Sequence, residues 1–248
     1  MSAAATRGLS ILGLLALWSA AALISDDPTI LPAPWTLLPR YAQEIENGKL
    51  LHHLTATLLR VIAAFVLAMG LGIALGYAMG RYPRLDRWLD PWLVVFLNLP
   101  ALVLIVLCYL WIGLNETAAI LAVTLNKVPN VTTVIREGAR SLSPDLDAMA
   151  GVFRMSTWAR LRHVVLPQLA PFVTAAARSG IAVIWKIVLV VEFLGRSSGV
   201  GFQIHLYFQL FDVGMVLVYA LAFIAVMLLI EWALLQPWER RVRRWRLA

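Results

Sequence analysis

The chain has 248 residues, of which 61% are hydrophobic and 14% are charged, and its formal net charge is +7 at pH 7. Soluble globular domains usually carry about a quarter charged residues, so this composition excludes an ordinary soluble protein and indicates lipid as the main solvent. A basic balance would also suit nucleic-acid binding, but here the basic residues flank apolar runs, which argues against nucleic acid as a partner.

Six apolar runs predict transmembrane helices, because a hydrocarbon core about 30 Å thick needs roughly 20 helical residues to cross it. We therefore expect an all-α, polytopic membrane protein with six transmembrane helices and a short cytoplasmic helix. The first run is short, follows Arg7 and ends near SAAAL, so it fits either a retained helix or a cleaved signal peptide. We favour the retained helix, which leaves both termini on the same side. The runs lie at about residues 9–25, 54–79, 91–113, 117–135, 168–194 and 214–235.

The basic residues predict the orientation of these spans, since Lys and Arg are enriched in cytoplasmic segments. With both termini in the cytoplasm, only Arg40, Lys49 and Arg196 fall in outer segments. The reverse orientation would place 14 of the 21 Lys and Arg residues on the outer side. Those inner residues are Arg7, Arg81, Arg84, Arg87, Arg136, Arg140, Arg154, Arg160, Arg162, Arg240, Arg241, Arg243, Arg244 and Arg246.

Residues 26–50 form the main predicted outer segment and belong, with the first span, to a first part of the chain, residues 1–50. The stretch DDPTILPAPWTLLP carries four prolines, and proline interrupts a continuous helix. We expect this segment to run extended across the outer surface.

Small residues recur at every fourth position along the second span, at Ala64, Ala68, Gly72, Gly76 and Gly80. Small side chains at this spacing allow two helix backbones to approach closely. The row predicts a helix-packing face.

Residues 136–167 form the main predicted cytoplasmic loop and contain signals for the start of a helix. Ser143 is suited to the N-cap, and Pro144 is suited to the first helical position. Asp145 and Asp147 are acidic residues in the first turn, where the helix dipole favours negative charge. The sequence therefore predicts a helix that begins at Pro144.

This predicted helix is amphipathic, because Leu146, Met149, Ala150 and Phe153 follow at i, i+3, i+4 and i+7. From the residues alone it could lie on anionic lipid headgroups, pack on the protein's own inner surface, or dock into a groove on a soluble partner. Pro167 is expected to mark the turn into the fifth span.

The loop resembles the coupling loop of binding-protein-dependent ABC transporter permeases, whose pattern runs Glu-Ala-Ala, three residues, Gly, and later Ile-x-Leu-Pro. The match is anchored on RLRHVVLP, residues 160–167, which places residues 148–150 on Glu-Ala-Ala and Arg154 on the glycine. The chain departs from the pattern twice. The acid is missing, with Asp147 one residue early, and an arginine replaces the glycine.

Further stretches are similar to the nitrate, sulfonate, taurine and bicarbonate branch of these permeases, so the resemblance covers about residues 51–246. It implies a permease core at residues 51–239, with five spans and a coupling loop at about 136–167, followed by a basic cytoplasmic tail at 240–248. The stretches are HLTATLLRVIAAFVLAMGLGIALGYAMG, LDPWLVVFLNLPAL, LWIGLNE and VVEFLGRSSGVGF.

The resemblance implies a type I importer subunit in the cell inner membrane. Its implied partners are a second permease copy, two cytoplasmic ABC ATPases that receive the loop helix, and a periplasmic or lipid-tethered substrate-binding protein, with membrane lipid around them. The sequence contains no G-x-x-x-x-G-K-[ST] loop. We therefore expect no enzymatic activity and no cofactor on this chain, with ATP bound by the partner subunits. The residues expected to couple to the ATPase are Asp147, Ala148, Met149, Ala150, Phe153 and Arg154.

Polar residues inside the fourth and fifth predicted spans are candidates for the translocation pathway, because a charge at the bilayer centre costs about 2.5–3.5 kcal/mol on insertion scales. Lys127 lies about 18 Å along the fourth helix from Asn115, and Pro129 beside it is expected to kink the helix. Arg178 and Lys186 lie about 80° apart around the fifth helix and can face one cavity. The candidate pathway residues are Asn126, Lys127, Asn130, Arg178, Lys186 and Glu192.

A structural role for these cations is the other interpretation: they could pair with Glu192, Glu116 or backbone carbonyls, or extend to an interface. Glu192 itself matches an acid that is common in the family. If the cations line the pathway, they suit a small anion.

The outer segment from Gly195 to Gly214 predicts a loop followed by a short helix near the outer surface. The resemblance implies that it helps form an outer gate and the dock for the binding protein, and a plain connecting loop is the alternative. No His, Cys, Asp or Glu group has metal-ligand spacing, no nucleophile–base pair is visible, and the single Cys108 cannot form an internal disulfide.

The sequence as a whole predicts the permease subunit of an importer that moves a small, anionic solute of the nitrate, bicarbonate, taurine or sulfonate type by alternating access. An importer of a pyrimidine vitamin precursor, or a membrane scaffold without transport, is the alternative. The sequence determines neither the solute nor whether the two permease copies are identical.

Overall fold

A computed structural model describes the backbone of residues 3–235 and the side chains of residue 6 and residues 8–233. No strand occurs between residues 3 and 235, so the all-α prediction is confirmed. The predicted basic tail, residues 240–248, lies outside the described residues. The helices are α1 (Ala3–Ser25), α2 (Pro34–Glu46), α3 (Lys49–Arg81), α4 (Pro83–Asn98), α5 (Ala101–Ile112), α6 (Glu116–Arg140), α7 (Pro144–Val152), α8 (Thr157–Arg160), α9 (Leu166–Gly195), α10 (Val200–Gln209) and α11 (Val213–Ile230), and two π-helical turns occupy Leu161–Val165 and Glu231–Leu235.

The chain divides into two compact units. The first contains Met1–Thr57 and Glu192–Leu228, and the second contains Leu58–Val191 and Leu229–Ala248. The boundaries fall inside α3, α9 and α11, so each of these helices contributes residues to both units. The division predicted at residue 50 stays a prediction.

Four described helices are long and apolar enough to cross a membrane: Gly8–Ser25, Lys49–Arg81, Glu116–Arg140 and Val213–Ala233. The bent pair α4 and α5 would make a fifth. A multi-span membrane protein is thereby confirmed. The predicted fifth span, α9, is not among these helices, although its 30 residues give it a length of about 45 Å. It carries three charged residues, Arg178, Lys186 and Glu192.

The prediction of one continuous span over residues 91–113 is wrong. Helices α4 and α5 meet there at an angle of 99°, because Pro100 has no N–H to donate and holds the preceding Leu99 in an extended conformation. Arg136, near the end of α6, bonds Asp90 near the start of this pair, whereas α5 ends just before α6 begins. Both arms therefore lie beside α6, and the bent pair fits either a broken span or a re-entrant loop.

The prediction that residues 26–50 run extended is wrong for α2, a 13-residue helix. Pro34 occupies the first turn, where no backbone donor is needed. Pro39 lies inside the helix and removes one backbone hydrogen bond. Packing along one face of α2, where Leu37 and Glu44 are buried, compensates for this lost hydrogen bond.

The predicted small-residue face on α3 is confirmed, and it packs on α6. A Cβ added to Gly72 would lie 2.5 Å from the Val131 Cβ, and one added to Gly80 would lie 2.5 Å from the Ala139 Cβ. Such distances are shorter than real contacts allow. Only glycine at these positions permits the observed approach of the two helices.

The entry into α9 begins earlier than the sequence indicates, so the prediction that the chain turns at Pro167 is wrong. Helix α8 continues through the π-helical turn into α9, and Pro167 is the second residue of α9. The Leu166 N–H donates to the Leu161 carbonyl in the wider π pattern. Since proline cannot donate the next backbone hydrogen bond, this widened turn lies just where a donor is lost.

Candidate coupling surface and polar membrane face

The start of the predicted coupling helix, α7, is confirmed in detail. Ser143 Oγ accepts a hydrogen bond from the Leu146 N–H at 3.5 Å, and Pro144 is the first helical residue. The Ser143 N–H in turn donates to Gln168 Oε1 at 2.9 Å. The cap therefore satisfies a free amide of the helix and also fixes α7 to the base of α9.

Asp147 joins α7 to two other helices of the second unit. Its carboxylate accepts from Arg81 Nη2 at 3.0 Å, at the end of α3, and from Arg160 Nε at 2.8 Å, at the end of α8. Hydrogen bonding from Arg160, and then from Arg81, holds the pKa of Asp147 below its usual value. Of the predicted coupling residues, Asp147 thus holds α7 in place on the second unit.

The end of α7 explains the arginine at the glycine position of the coupling pattern. The Met155 N–H donates to the Ala150 carbonyl and the Arg154 N–H donates to the Gly151 carbonyl, both at 3.0 Å. This pair of bonds is a Schellman motif, in which the residue after the cap is left-handed and is usually glycine. Arg154 is that residue, with φ of +47°, so the substitution retains the turn but places a Cβ in it.

The predicted apolar stripe of α7 is divided between an inward and an outward face. Ala150 is buried, with 2% of its surface exposed, whereas Phe153 is 74% exposed. Sequence reasoning missed Val152, which is 81% exposed, because the i, i+3, i+4, i+7 template does not include it. We call the outward set the coupling patch; it consists of Leu146, Met149, Val152 and Phe153.

Two of the three candidate pathway residues of α9 lie on an exposed face of that helix. Lys186 and Arg178 are both exposed, as is Ser179, which the sequence reading missed. Arg178 approaches Glu231 at 3.9 Å, across the second unit, whereas no acid or hydrogen-bond acceptor among the described side chains pairs with Lys186.

On α6, Asn130 is exposed and Asn126 is half-buried. Asn130 Nδ2 donates to the Asn126 carbonyl at 3.4 Å, a weak bond within the helix. Thr133 Oγ1 donates to the carbonyl of Pro129 at 2.9 Å, and α6 continues through this proline.

Lys127, the third polar candidate on α6, is buried. Only 3% of its surface is exposed, and within the described part of the chain its ammonium has neither a carboxylate nor a hydrogen-bond partner. The predicted partner Glu116 pairs instead with Arg60, through bonds of 2.7 and 2.8 Å. Pairing with Glu116 is therefore not what the fold provides, and the role of Lys127 in the pathway stays a prediction.

Glu192 has an environment different from that of the exposed cations. It is fully buried, and its Oε2 accepts from Thr57 Oγ1 and from the Gly201 N–H, each at 2.9 Å. Gly201 lies in the first turn of α10, where the helix dipole favours an anion. A Cβ on Gly199, whose φ is +111°, would overlap this carboxylate. Glu192 thus caps α10 rather than lining an open surface of this chain.

His53 belongs to the same buried network, which the sequence reading missed because its members lie far apart in the chain. The Gly199 N–H donates to His53 Nδ1 at 3.0 Å, so Nε2 carries the ring proton. Nε2 lies 2.5 Å from the amide of Gln203, whose Oε1 is buried without a partner. Turning that amide over lets Oε1 accept a hydrogen bond from the His53 Nε2–H.

Comparison with known proteins identifies the family of this chain. Residues 54–243 match the family described as the binding-protein-dependent transport system inner membrane component. The chain belongs to this family. Membership implies ATPase and substrate-binding partners and a multi-pass position in the inner membrane.

Several permeases of this family are similar to the chain along much of its length. It is 30% identical over 176 residues to a protein of Bacillus subtilis named as an aliphatic sulfonates transport permease, SsuC, and it spans 64% of that relative. It is 30% identical over 238 residues to the riboflavin transport permease RibX of Chloroflexus aurantiacus, covering 96% of this chain and 88% of that one. It is 27% identical over 236 residues to the taurine transport permease TauC of Escherichia coli, covering 92% and 84%.

Chains of solved ABC transporter structures share the fold of this chain. A chain of an amino acid ABC transporter superposes with a TM-score of 0.64 at 20% identity, covering 81% of this chain and 97% of that chain. A chain of the MetNI methionine ABC transporter superposes with a TM-score of 0.60 at 17% identity, covering 79% and 94%.

Proposed function

We propose that this chain is the permease subunit of an ABC importer for a small anionic solute of the sulfonate class. It would form a dimer with a second permease copy and move the solute by alternating access. Two partner ATPases would bind and hydrolyse the ATP, and a substrate-binding protein would deliver the solute. Both termini would lie in the cytoplasm.

The observation that carries this proposal is the exposed, unneutralised Lys186 on α9. Arg178 and Lys186 lie about 4 and 8 Å from the midpoint of the helix, within a hydrocarbon core about 30 Å thick. A charge facing lipid at that depth is unfavourable, so intramembrane charges face a bundle interior or a water-filled cavity. The exposed face of α9 therefore requires either a second copy or a solute pathway against it.

The coupling patch supports the ATPase part of the proposal. Its four apolar side chains lie along α7, which is held by Ser143, Asp147 and the Schellman turn. The helix belongs to the predicted cytoplasmic loop. An amphipathic helix of this kind docks into an apolar groove on a soluble partner. Because Asp147 ties α7 to α3 and α8, a displacement of the patch would be transmitted to membrane helices.

An anionic solute is favoured over a neutral one. The exposed cations of α9 would be of no use to a neutral solute such as riboflavin, the substrate named for RibX, whereas a sulfonate oxygen accepts hydrogen bonds from an ammonium. A scaffold without transport would not need a charge at mid-membrane.

Purification of the complex with its ATPase and binding protein, followed by reconstitution in proteoliposomes, tests the proposal. We expect ATP-dependent uptake of an alkyl sulfonate, and a reduction of at least about tenfold in Lys186→Gln, since a charged hydrogen bond contributes about 1.5–3 kcal/mol. Lys49→Gln is the matched control, because Lys49 begins α3 in the predicted outer segment. A preparation without an ATPase favours the scaffold. Riboflavin uptake without sulfonate uptake contradicts the anion assignment, and equal uptake by Lys186→Gln and the parent removes Lys186 from the pathway.

A further inference from the structure

We propose that Lys127 forms an internal site for the sulfonate or other oxyanion group of a solute with a net negative charge, and that this site disfavours zwitterions. The inference rests on the proposed function and specifies its substrate class. Its basis is the buried side chain of Lys127 on α6, which lies beside Gly180 of α9 in the second unit.

Lys127 is buried without the partner that a buried lysine normally has. A buried ammonium is ordinarily accompanied by a carboxylate or by several hydrogen-bond acceptors, because burial of an isolated charge is strongly unfavourable. None of the described side chains supplies such a partner to Lys127, although it is only 3% exposed. An anion that binds beside it would supply the missing charge and accept its three N–H donors.

Space beside Lys127 comes from Gly180 on α9. A Cβ on Gly180 would lie 3.4 Å from Lys127 Cε and 3.8 Å from Phe65 Cε2. This is ordinary van der Waals contact, so the space beside the lysine stem is about the size of a methyl group. Contact with a solute therefore requires α9 to move away from α6. A charge that gains contact with a solute when two helices separate is suited to alternating access.

The charges in the surrounding helices exclude an ammonium-bearing solute. Between residues 117 and 135 of α6 and between residues 168 and 191 of α9, the ionisable acid and base side chains are Lys127, Arg178 and Lys186, all cationic. The carboxylates beyond these segments are engaged: Glu116 with Arg60, Glu192 with Thr57 and Gly201, and Glu231 near Arg178. A zwitterion would bring a positive group to a site with no available acid.

Two solutes of nearly equal size provide the test. Taurine and 2-hydroxyethanesulfonate both carry a sulfonate on a two-carbon chain, but only taurine carries an ammonium. We expect the reconstituted parent complex, with saturating binding protein for each solute, to import 2-hydroxyethanesulfonate at least about tenfold faster than taurine. We expect Lys127→Met to lose at least about nine-tenths of that uptake, and Lys127→Arg to retain more than Lys127→Met.

A second measurement separates solute recognition from folding. Met nearly preserves the shape of the lysine stem and removes an unpaired buried charge, so Lys127→Met should raise the melting temperature of the solubilised complex by about 2–4 °C. Addition of 2-hydroxyethanesulfonate should stabilise the parent complex but not Lys127→Met. Lys49→Gln should behave as the parent in both assays.

The outcomes distinguish the two proposals. If the parent complex imports no sulfonate, the proposed function fails, and the assignment of Lys127 fails with it. If the parent imports sulfonates and Lys127→Met does so equally well, or is stabilised by the solute to the same extent, only the Lys127 site is overturned. Equal or faster uptake of taurine overturns the exclusion of zwitterions.

Discussion

Replacing Arg154 with glycine should stabilise the end of the coupling helix. Arg154 lies at the position after the helix cap with φ of +47°, where its Cβ is unfavourable. Its N–H and that of Met155 form the two closing bonds of the Schellman motif, each 3.0 Å long. The substitution keeps both bonds and removes the Cβ.

The expected gain follows from two opposing effects. A left-handed conformation costs a residue with a Cβ about 1–2 kcal/mol, and glycine loses about 0.5–1 kcal/mol through the larger freedom of the unfolded chain. We expect a net stabilisation of about 0.5–1 kcal/mol. Since about 1.4 kcal/mol corresponds to a tenfold change, exchange of the Arg154 and Met155 amides with solvent deuterium should slow about two- to fivefold.

The measurement is hydrogen exchange on the permease–ATPase complex, resolved to the peptides that contain these two amides. Arg154→Ala is the matched control, because alanine removes the guanidinium and keeps the Cβ. Exchange in Arg154→Ala should therefore stay close to the parent value. The refuting result is equal protection in Arg154→Gly and Arg154→Ala. If both exceeded the parent, the charge and not the backbone conformation would determine the stability of this turn.

Two further predictions concern the packing that positions the coupling helix. Gly76→Ala should destabilise the complex by about 1–3 kcal/mol, because the new Cβ would lie 2.6 Å from the Thr132 carbonyl oxygen. Gly70→Ala in the same helix is the control, since its new Cβ meets nothing within 4 Å, and it should unfold thermally like the parent. Equal losses of stability for both variants would contradict the packing argument. Asp147→Asn should weaken the attachment of α7, which would be measured as faster hydrogen exchange of α7 at neutral pH. The folded-state pKa of Asp147 is lowered, so in the parent the stabilisation by this carboxylate should be fully present above the unfolded pKa of about 3.9. It should be lost only as pH falls through the lower folded-state pKa. A parent protein that loses α7 protection between pH 7 and 5, with Asp147→Asn unchanged, would contradict that assignment.

The start of α7 shows how much a local pattern can determine. Ser143, Pro144 and the two acids of the first turn predict the cap, the first residue and the dipole preference, because each of these interactions lies within one helical turn. The small-residue row of α3 was also predictable from the sequence, because its period of four identifies a packing face. The partner of this face, α6, follows only from the fold.

The candidate site was less predictable where partners come from distant parts of the chain. The sequence treats Lys127 and Lys186 alike, as cations in apolar spans, but the structure buries the first and exposes the second. Glu192 is a third polar residue in the same pattern, and it becomes a helix cap because Thr57 and Gly201 meet it in the folded first unit.

Periodicity, composition and charge by themselves determined that this chain is helical, membrane-embedded and basic on its predicted inner side, because those properties depend on each residue and its neighbours within a turn or two. Only the tertiary structure decided which polar groups are neutralised. The electrostatic state of a buried side chain is set by atoms that the folding chain brings to it from far along the sequence.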